Sequence, residues 1–575
     1  MLLPRYKKLA ASLSLALVLL GRISLATFAQ APEEGLPSPI EPSLPPVQPI
    51  ESERIPSPRV PSLEVPVPES ETVLELSNCP PLVESGELSF EAIAIQIEGS
   101  TVLQDEIAEK VACYEGREIT LSDLFVLRSQ ITQLYLDNGY ITSGAFIPSG
   151  QLVDDGELRI QVVEGSLEEI QTNGLRNLND SYVESRLSRA GRPPLSQQAL
   201  QTALQLLQLD PNIQRVDAEL TAGAQPGQSL LILNLEETRS FAALADTNNY
   251  RSPSVGSESL NLSASYRNLI GVGDVLSASY GLTEGLDLYD VNFSVPFNAA
   301  DGTLSVGYSN SESRIVEDVF EDAGIRSETD TVSVGVRQPI VRSPSEEFAL
   351  GLAFDWRQSQ SFILDDVPFS FSVGPEDGRS QVSVLRFSQD WTKRDRRRVL
   401  AGRSQFSVGL DVLGATDNDT GTDGQFFSWL GQFQWVEQVS PRTVSVVKVN
   451  AQLTPDSLLP LERFSLGGVN TVRGYAQNAV VTDNAINASA EVRIPVTRYS
   501  DVLQVVPFLE AGYGWNNRTA NLEDSFLLGT GVGLRWKATP ELLLRADYGV
   551  PLASGDERGS SLQENGFYFS ITYQP

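Results

Sequence analysis

"EFALGLAFDWRQ", residues Glu347–Gln358, alternates between two kinds of side chain at every step. One face is apolar and rich in aromatics, and the other is small or charged: Phe348, Leu350, Leu352, Phe354 and Trp356 against Ala349, Gly351, Ala353, Asp355 and Arg357. A period of two residues predicts a β-strand. In a membrane barrel, lipid covers the apolar face and water fills the inside. A soluble β-sandwich would show the same period with its charged face outward.

The same alternation repeats through residues 238–575, where no helical period remains. "SFLLGTGVGLRWK" (Ser525–Lys537) and "GFYFSITYQP" (Gly566–Pro575) each set an apolar, aromatic face against glycine, polar or charged residues. We count about sixteen such segments, which leaves about 21 residues for each strand and its connection, a spacing typical of outer-membrane barrels. We therefore predict a transmembrane antiparallel β-barrel of about 16 strands over residues 238–575.

The N-terminus has the three parts of a secretory signal peptide. "MLLPRYKK" is basic, Leu9–Leu20 is apolar, and Ala29-Gln30-Ala31 has the small residues of a cleavage site. The apolar stretch is too short for a membrane-spanning helix. We predict a signal peptide over residues 1–31 and export of the remaining chain.

Residues 32–87 are rich in proline, which lacks the N–H that helices and sheets require. We predict an extended periplasmic linker there, without helix or sheet. Cys79 lies in this linker, and the only other cysteine is Cys113. Exported proteins meet an oxidising environment, which favours a Cys79–Cys113 disulfide. Two buried, unpaired thiols are the alternative.

Composition excludes several classes of function. The formal net charge is -32, whereas binding to nucleic acid requires a basic surface. The chain has no histidine, which rules out Ser-His-Asp and Cys-His catalysis. Two cysteines without histidine are too few for a tetrahedral zinc site. We predict no metal, no cofactor and no nucleic-acid partner.

Residues 88–237 contain a repeat of two β-α-α-β-β units. Gly99 and Gly174 mark equivalent positions, 75 residues apart, and each follows a strand with alternating apolar residues. Helical spacing follows in both copies, and two further strands close each of them. Thr120 with Asp123 has the spacing of a helix-start capping box. We predict one domain over 88–165 and a second over 166–237.

The stretch "RFSLGGVNTVRGY" (Arg463–Tyr475) resembles the signature of the sixth surface loop in outer-membrane insertases and two-partner secretion transporters. Its core is Val-Arg-Gly-Tyr, and we place the loop at 453–482. The repeated units resemble POTRA domains. "ITQLYLDNGYITSGAFIP" (Ile131–Pro148) and "LLQLDPNIQRVDAEL" (Leu206–Leu220) are similar to the haemolysin secretion/activation (ShlB/FhaC/HecB) family of TpsB-type transporters in the BamA-like superfamily. The first unit is similar to the ShlB-type POTRA domain.

The resemblance implies that this loop folds back into the barrel. Its arginine, here Arg473, then pairs with an inward-facing acid in a Phe-x-Asp pattern, which Phe508 and Glu510 match with glutamate in place of aspartate. A guanidinium offers a planar fork that a carboxylate meets with two hydrogen bonds. The predicted loop motif comprises Gly467, Gly468, Val472, Arg473, Gly474 and Tyr475.

The family's function is the leading hypothesis. It implies an outer-membrane pore whose periplasmic POTRA domains bind an unfolded partner, by adding the partner's strands to a sheet edge. The partner would be a large β-helical, TpsA-like adhesin or haemolysin, exported without nucleotide hydrolysis. Other expected contacts are outer-membrane lipid and, during biogenesis, the barrel assembly machinery, and we expect a monomer.

Three alternatives remain at this point. A BamA-like assembly factor would insert other barrels, although such proteins usually carry more POTRA units. A plain diffusion porin would leave the two POTRA domains without a task. An enzyme is the weakest hypothesis, because no acidic pair sits in a recognisable catalytic setting. Whether an N-terminal helix plugs the pore stays open.

Overall fold

The computed structural model describes residues 63–64, 89–149, 157–498, 502–518, 525–553 and 559–575, all within one compact unit, Ser38–Pro575. The predicted signal peptide lies outside the described residues, as does the rest of the proline-rich stretch up to residue 88. Among the described residues, no helix has both the length and the apolar character that a membrane crossing requires.

The first domain has the predicted order of elements with one addition. Its elements are β2 Ser89–Ala92, β3 Ala94–Glu98, α1 Gln104–Val111, β4 Arg117–Thr120, α2 Leu121–Asp137, β5 Gly144–Phe146 and β6 Glu157–Val163. β3 and β5 flank β6, while β2 and β4 form a separate pair that the sequence did not predict. The predicted capping box is confirmed: the Asp123 N–H donates to Thr120 Oγ1, and the Thr120 N–H donates to the Asp123 carboxylate.

The second domain follows the predicted order too. Its elements are β7 Ser166–Asn173, α3 Asp180–Leu187, α4 Gln197–Gln208, β8 Ile213–Ala222 and β9 Gln228–Glu237. Its sheet contains a further short strand, β1 Leu63–Glu64, which pairs in parallel with β8, so the order is β1-β8-β9-β7. The expectation of no sheet in the proline-rich stretch is therefore wrong at Leu63 and Glu64. These two residues keep the backbone N–H that proline lacks.

Sixteen strands of the described chain form a closed barrel. They are β10 Phe241–Asn248, β11 Ser259–Arg267, β12 Val275–Leu282, β13 Leu286–Pro296, β14 Thr303–Arg314, β15 Arg326–Arg342, β16 Glu346–Ile363, β18 Arg379–Arg394, β19 Arg398–Gly409, β20 Phe427–Gln438, β21 Val444–Leu453, β24 Asn484–Pro495, β25 Leu503–Trp515, β26 Phe526–Lys537, β27 Leu542–Pro551 and β28 Phe567–Tyr573. Three short strands lie in connections: β17 Val367–Pro368, β22 Phe464–Leu466 and β23 Val480–Thr482. All neighbouring barrel strands are antiparallel, and β28 closes the ring on β10. The predicted fold class is confirmed.

The two faces of each strand differ as the alternation predicts. On β26, Val532 and Trp536 are 48% and 47% exposed on the outer face, where lipid would cover them. On β16, Leu352 lies on the outer face, while Asp355 points inward and accepts a hydrogen bond from Arg386 Nε at 2.5 Å. The charged residues of the alternating pattern therefore line the interior.

Candidate functional site

The connection between β21 and β24, residues 454–483, turns into the barrel interior. β22 and β23 pair within it as a hairpin, and the residues between them form its tip. Val472, Phe464 and Leu466 are fully buried, and they pack with apolar residues of the wall such as Leu527. The structure thus places this connection, predicted at 453–482, in the barrel interior. We call it the lumen loop.

Glycines shape the tip of the lumen loop. Gly467 has φ 102° and Gly474 has φ 106°, a backbone region that side chains strongly disfavour. Gly468 follows the first of these and donates its N–H to the Tyr475 carbonyl at 3.0 Å. A Cβ at Gly474 would lie 2.9 Å from the Pro551 nitrogen, so the tip also presses close against the wall.

Arg473 is 1% exposed, and the structure places it directly against Glu510. Arg473 Nη2 lies 2.6 Å from Glu510 Oε1, and the Arg473 backbone N–H donates to Glu510 Oε2 at 2.7 Å. The guanidinium also stacks over the Phe508 ring, 3.5 Å from its centroid. Phe508 and Glu510 therefore share the inner face of β25, whereas Leu509 between them is 54% exposed on the outer face. The one carboxylate holds both the side chain and the backbone of the loop.

Two further acids approach the same guanidinium. Asp547 Oδ1 lies 3.2 Å from Arg473 Nη1, and Glu491 Oε2 lies 3.5 Å from Nη2. Sequence reasoning missed both, because each is one of many acids at inward positions of barrel strands. Neither sits in a motif that would single it out. A signal could only come from knowing the register of β24, β25 and β27 across the wall.

The acids beside Arg473 also bind wall arginines, so the site is a cluster. Arg493 and Arg535 both donate to Glu491, at 2.9 and 3.0 Å, and Arg545 Nε donates to Asp547 at 2.6 Å. Together the four arginines and three acids carry a net charge of 4 - 3 = +1. The pairing of opposite charges is what makes burial of so many ions tolerable.

Tyr475 and Tyr568 hold the backbone around the motif. Tyr568 Oη, on β28, accepts from the Gly474 N–H at 2.9 Å and donates to the Tyr475 carbonyl at 2.6 Å. Tyr475 Oη donates in turn to the Leu528 carbonyl on β26 at 3.1 Å. The motif thus contacts five neighbouring wall strands, β24 to β28. Sequence reasoning did not find Tyr568, whose alternation marks it only as inward-facing.

A lane of glycines on the inner wall accommodates the loop; it consists of Gly512, Gly514, Gly529 and Gly549. A Cβ at Gly529 would lie 2.1 Å from the Arg473 carbonyl oxygen, and one at Gly549 would lie 2.5 Å from the Gly474 nitrogen. Ordinary contacts to a Cβ are longer than about 3.4 Å. Any side chain at these positions would therefore push the loop away from the wall. We call these four residues the glycine lane.

The predicted disulfide lies apart from the lumen loop. Cys113 is buried in the first domain and is not a free thiol. Cys79 lies outside the described residues, so the Cys79–Cys113 pairing stays a prediction. Among the described residues, no group of acidic or cysteine side chains is placed to hold a metal ion.

Comparison with known protein families gives two matches. Residues 227–536 match the family model described as "Haemolysin secretion/activation protein ShlB/FhaC/HecB". Residues 90–165 match the model described as "POTRA domain, ShlB-type". The first match covers more than half of the chain and includes the whole lumen loop.

Curated relatives extend the similarity to most of the chain. The chain is 22% identical to "Heme/hemopexin transporter protein HuxB" of Haemophilus influenzae (strain 86-028NP), over 84% of its own length and 87% of the relative. It is 23% identical to "Outer membrane transporter CdiB" of Dickeya dadantii (strain 3937), over 77% and 80% of the two chains.

Solved structures share the fold. CdiB from Escherichia coli superposes with a TM-score of 0.64 at 21% identity, over 86% of this chain and 93% of that one. BamA from Haemophilus ducreyi, lacking POTRA domains 1-3, gives a TM-score of 0.53 at 15% identity, over 85% and 100% of the two chains.

Proposed function

The chain belongs to the haemolysin secretion/activation family ShlB/FhaC/HecB, and on that premise we propose that it exports a partner protein across the outer membrane. The barrel lies in the outer membrane, and the two POTRA domains lie in the periplasm. The partner is a TpsA-type secreted protein, and by its class a large β-helical one. The alternative of a barrel assembly factor shares the fold, but the family and its named transporters fit secretion better.

One observation carries the proposal: a loop occupies the pore, and buried ion pairs fasten its tip to the wall in addition to apolar packing. The Arg473 cluster holds the tip through charged hydrogen bonds, which a passing chain can exchange for its own. A permanent structural plug would gain more from apolar packing of the same volume. The lumen loop therefore supports a closed state that opens for transport.

Recognition of the partner starts in the periplasm. In the described part of the chain, β5 and β7 are edge strands, each paired with a neighbour on one side only. Such an edge offers unpaired backbone groups to an extended, unfolded chain. Folding of the partner outside the cell prevents its return, and the proposal includes no nucleotide hydrolysis. The transporter acts as a monomer, with lipid around the barrel, which the barrel assembly machinery inserts.

A deletion tests this function. Cells lacking the protein are compared with wild-type cells by surface proteomics, and a large secreted β-helical protein should be lost from the surface and accumulate or be degraded in the periplasm. Complementation with the wild-type chain should restore it. A variant lacking residues 89–237 but retaining the barrel should not. Unchanged surface proteins in the deletion strain would contradict the proposal.

A further inference from the structure

Glu462 lies at the base of the lumen loop, in a single helical turn, Pro460–Glu462, and its side chain is only 6% exposed. Arg386 Nη2 donates to both oxygens of its carboxylate, at 2.8 and 3.0 Å. Arg357 Nη1 donates to Glu462 Oε1 at 3.1 Å. Asp355 completes the group by accepting from Arg386 Nε. This base cluster has two arginines and two acids, so it is neutral as a whole.

The base cluster is on a different part of the wall from the Arg473 cluster. Arg357 and Arg386 lie on β16 and β18, the seventh and eighth strands of the barrel. The acids that meet Arg473 lie on β24, β25 and β27, the twelfth, thirteenth and fifteenth strands. The lumen loop therefore contacts the ring in two separate sectors and crosses the interior between them.

Apolar packing fixes the base in the same sector. Leu458, Leu459 and Leu461 are buried against Val382 and Val384 of β18. Arg357 Nη1 also donates to the Leu461 carbonyl at 2.5 Å. Gln452 on β21 donates to the Glu462 carbonyl at 3.0 Å. The base is thus held independently of the tip, by different strands and different atoms.

The two clusters have opposite polarity. At the tip, the loop supplies the cation and the wall supplies the acids. At the base, the loop supplies the acid and the wall supplies the cations. A charged segment of one sign can take the loop's place on the wall at one cluster, but at the other cluster the wall groups that the loop meets carry the same sign and repel it. A segment of one charge sign therefore cannot take the loop's place at both clusters.

We propose that Glu462 is a second anchor of the lumen loop and that base and tip release independently. Glu462 is a positioning residue: it holds the base against β16 and β18 while the tip opens and closes. The inference rests on the proposed function only where it assigns tip release a role in transport. In this arrangement the base of the loop stays bound to the wall while the tip detaches and rebinds.

Limited proteolysis with trypsin can measure release of each anchor separately. Trypsin cleaves after arginine, and an arginine lies at or next to each anchor. The bond Arg463–Phe464 reports release of the base, and Arg473–Gly474 reports release of the tip. The full-length protein in detergent is treated briefly with trypsin, and mass spectrometry follows the two bonds. Folding of each variant is checked by the heat-dependent shift of the barrel on electrophoresis.

In the wild-type protein both bonds should resist cleavage. Glu462→Gln should raise cleavage after Arg463 at least about tenfold while the bond after Arg473 stays protected, because the buried base cluster is then left with two arginines and one acid. Glu510→Gln should give the reverse pattern. Glu321→Gln, an exposed acid of another outer connection, is the matched control and should change neither bond. If Glu462→Gln does not fold, Arg386→Gln carries the same expectation.

Two results would overturn the proposal. The first is equal protection of the bond after Arg463 in the wild-type protein, Glu462→Gln and Arg386→Gln. The second is cleavage of both bonds together in either loop variant, which would show that the loop releases as one unit. The assay needs no secreted partner, so either result leaves the proposed transport function intact, and a failure of transport leaves the cleavage result intact.

Discussion

At the scale of single residues, Arg473 combines three contacts that a lysine could not make together. Its fork meets Glu510, its plane covers the Phe508 ring, and its second terminal nitrogen reaches Asp547. Only a planar, permanently charged group supports this combination. The extra methylene of Glu510, compared with the aspartate that the motif resemblance implies, still allows contact with both the backbone and the side chain of Arg473.

Glu510→Gln should destabilise the closed barrel by about 1.5–3 kcal/mol, because it removes charged hydrogen bonds while Asp547 and Glu491 still face the arginine. The measurement is the temperature at which the folded barrel is lost on electrophoresis. Asp290→Asn is the matched control: Asp290 is a half-buried acid on β13 for which the described chain holds no ion pair. An equal shift in both variants would count against a specific role of Glu510.

Gly529→Ala should displace the lumen loop tip, because the new Cβ would lie 2.1 Å from the Arg473 carbonyl oxygen. Overpacking of this kind costs about 1–3 kcal/mol. The expected result is faster trypsin cleavage after Arg473. Gly335→Ala, on β15, is the control, since its nearest contact would be a serine hydroxyl at 3.1 Å. Equal cleavage in the two variants would argue that the loop does not need the glycine lane.

The residues of this site were predictable to different degrees. Arg473, Glu510 and Phe508 stood in recognisable local patterns, and the structure places them in contact. Asp547, Glu491 and Tyr568 stand in no local pattern. They meet Arg473 and its neighbours only because the barrel closes and sets the register of β24 to β28, which alternation alone does not determine.

At the scale of elements, the two POTRA domains followed from helical spacing and capping, which are local properties. The pair β2–β4 did not, because each strand has only four residues and no full period to read. The pairing of β1 with β8 was hidden by the surrounding prolines. Short strands depend on the sheet that receives them more than on their own sequence.

Glu164 joins the segment before α1 to helix α2 in the first domain. Its carboxylate accepts from the Thr101 N–H at 2.6 Å, from Val102 N–H at 3.2 Å and from Tyr135 Oη at 3.0 Å. Burial acts to raise the pKa of Glu164, but these hydrogen bonds, together with the one from the Thr101 hydroxyl, outweigh burial and hold its pKa below the ordinary value. The ionised form therefore stabilises the folded domain.

Glu164→Gln should lower the stability of the first domain by about 1–2 kcal/mol at neutral pH. A depressed folded pKa gives stability that is present above the ordinary glutamate pKa of about 4.3 and is lost as pH falls through the folded value. The difference between variant and wild type should therefore shrink in acid. Urea titration with hydrogen exchange in segment 121–137 checks this, with the exposed Glu157→Gln as control. A pH-independent difference would contradict the assignment.

Two contacts join the second domain to the short turns at the periplasmic end of the barrel. The Asn179 N–H donates to the Gly271 carbonyl at 2.9 Å, and Arg186 of α3 pairs with Asp301 between β13 and β14. Arg186 also stacks on Tyr182, 3.4 Å from its ring centroid. These contacts orient the domain relative to the pore.

Asp301→Asn should loosen this junction. Asparagine keeps the shape and tolerates the φ of 57° at this position, so the loss of charge is isolated. We expect hydrogen exchange in segment 177–187 of the full-length protein to become about tenfold faster, the effect of losing about 1.4 kcal/mol. Glu284→Gln, an exposed acid in an outer connection, is the control. Unchanged exchange would mean that the backbone contact at Asn179 suffices.

At the scale of the whole molecule, the alternation predicted the barrel and its strand number because one face must meet lipid and the other water along every strand. It could not predict how firmly the ring closes. β10 and β28 share four paired positions, from Ala245 opposite Tyr573 to Asn248 opposite Ser570. The pair β27–β28 has seven, and the longer neighbouring pairs have more. The closing seam is therefore the shortest in the ring.

A disulfide across this seam, made by Ala245→Cys with Tyr573→Cys, should leave secretion within about twofold of wild type, since transport through the interior does not require the strands to part. Surface appearance of the partner is the measurement, with each single cysteine variant as control. Loss of secretion that a reductant restores would mean that the wall must open sideways.

The glycine lane has a further consequence for what happens once the loop has moved. The four glycines add only backbone atoms to the strip of wall that the loop leaves, and this strip runs beside the charged side chains of Glu510 and Asp547. Attraction between a moving chain and a wall sums over many small atomic contacts, and a smooth wall supplies few. Along this strip, adjacent steps of the chain then meet nearly equal energies. The glycines that let the loop lie close to the wall therefore also leave a smooth strip beside the charged cluster when the pore is open.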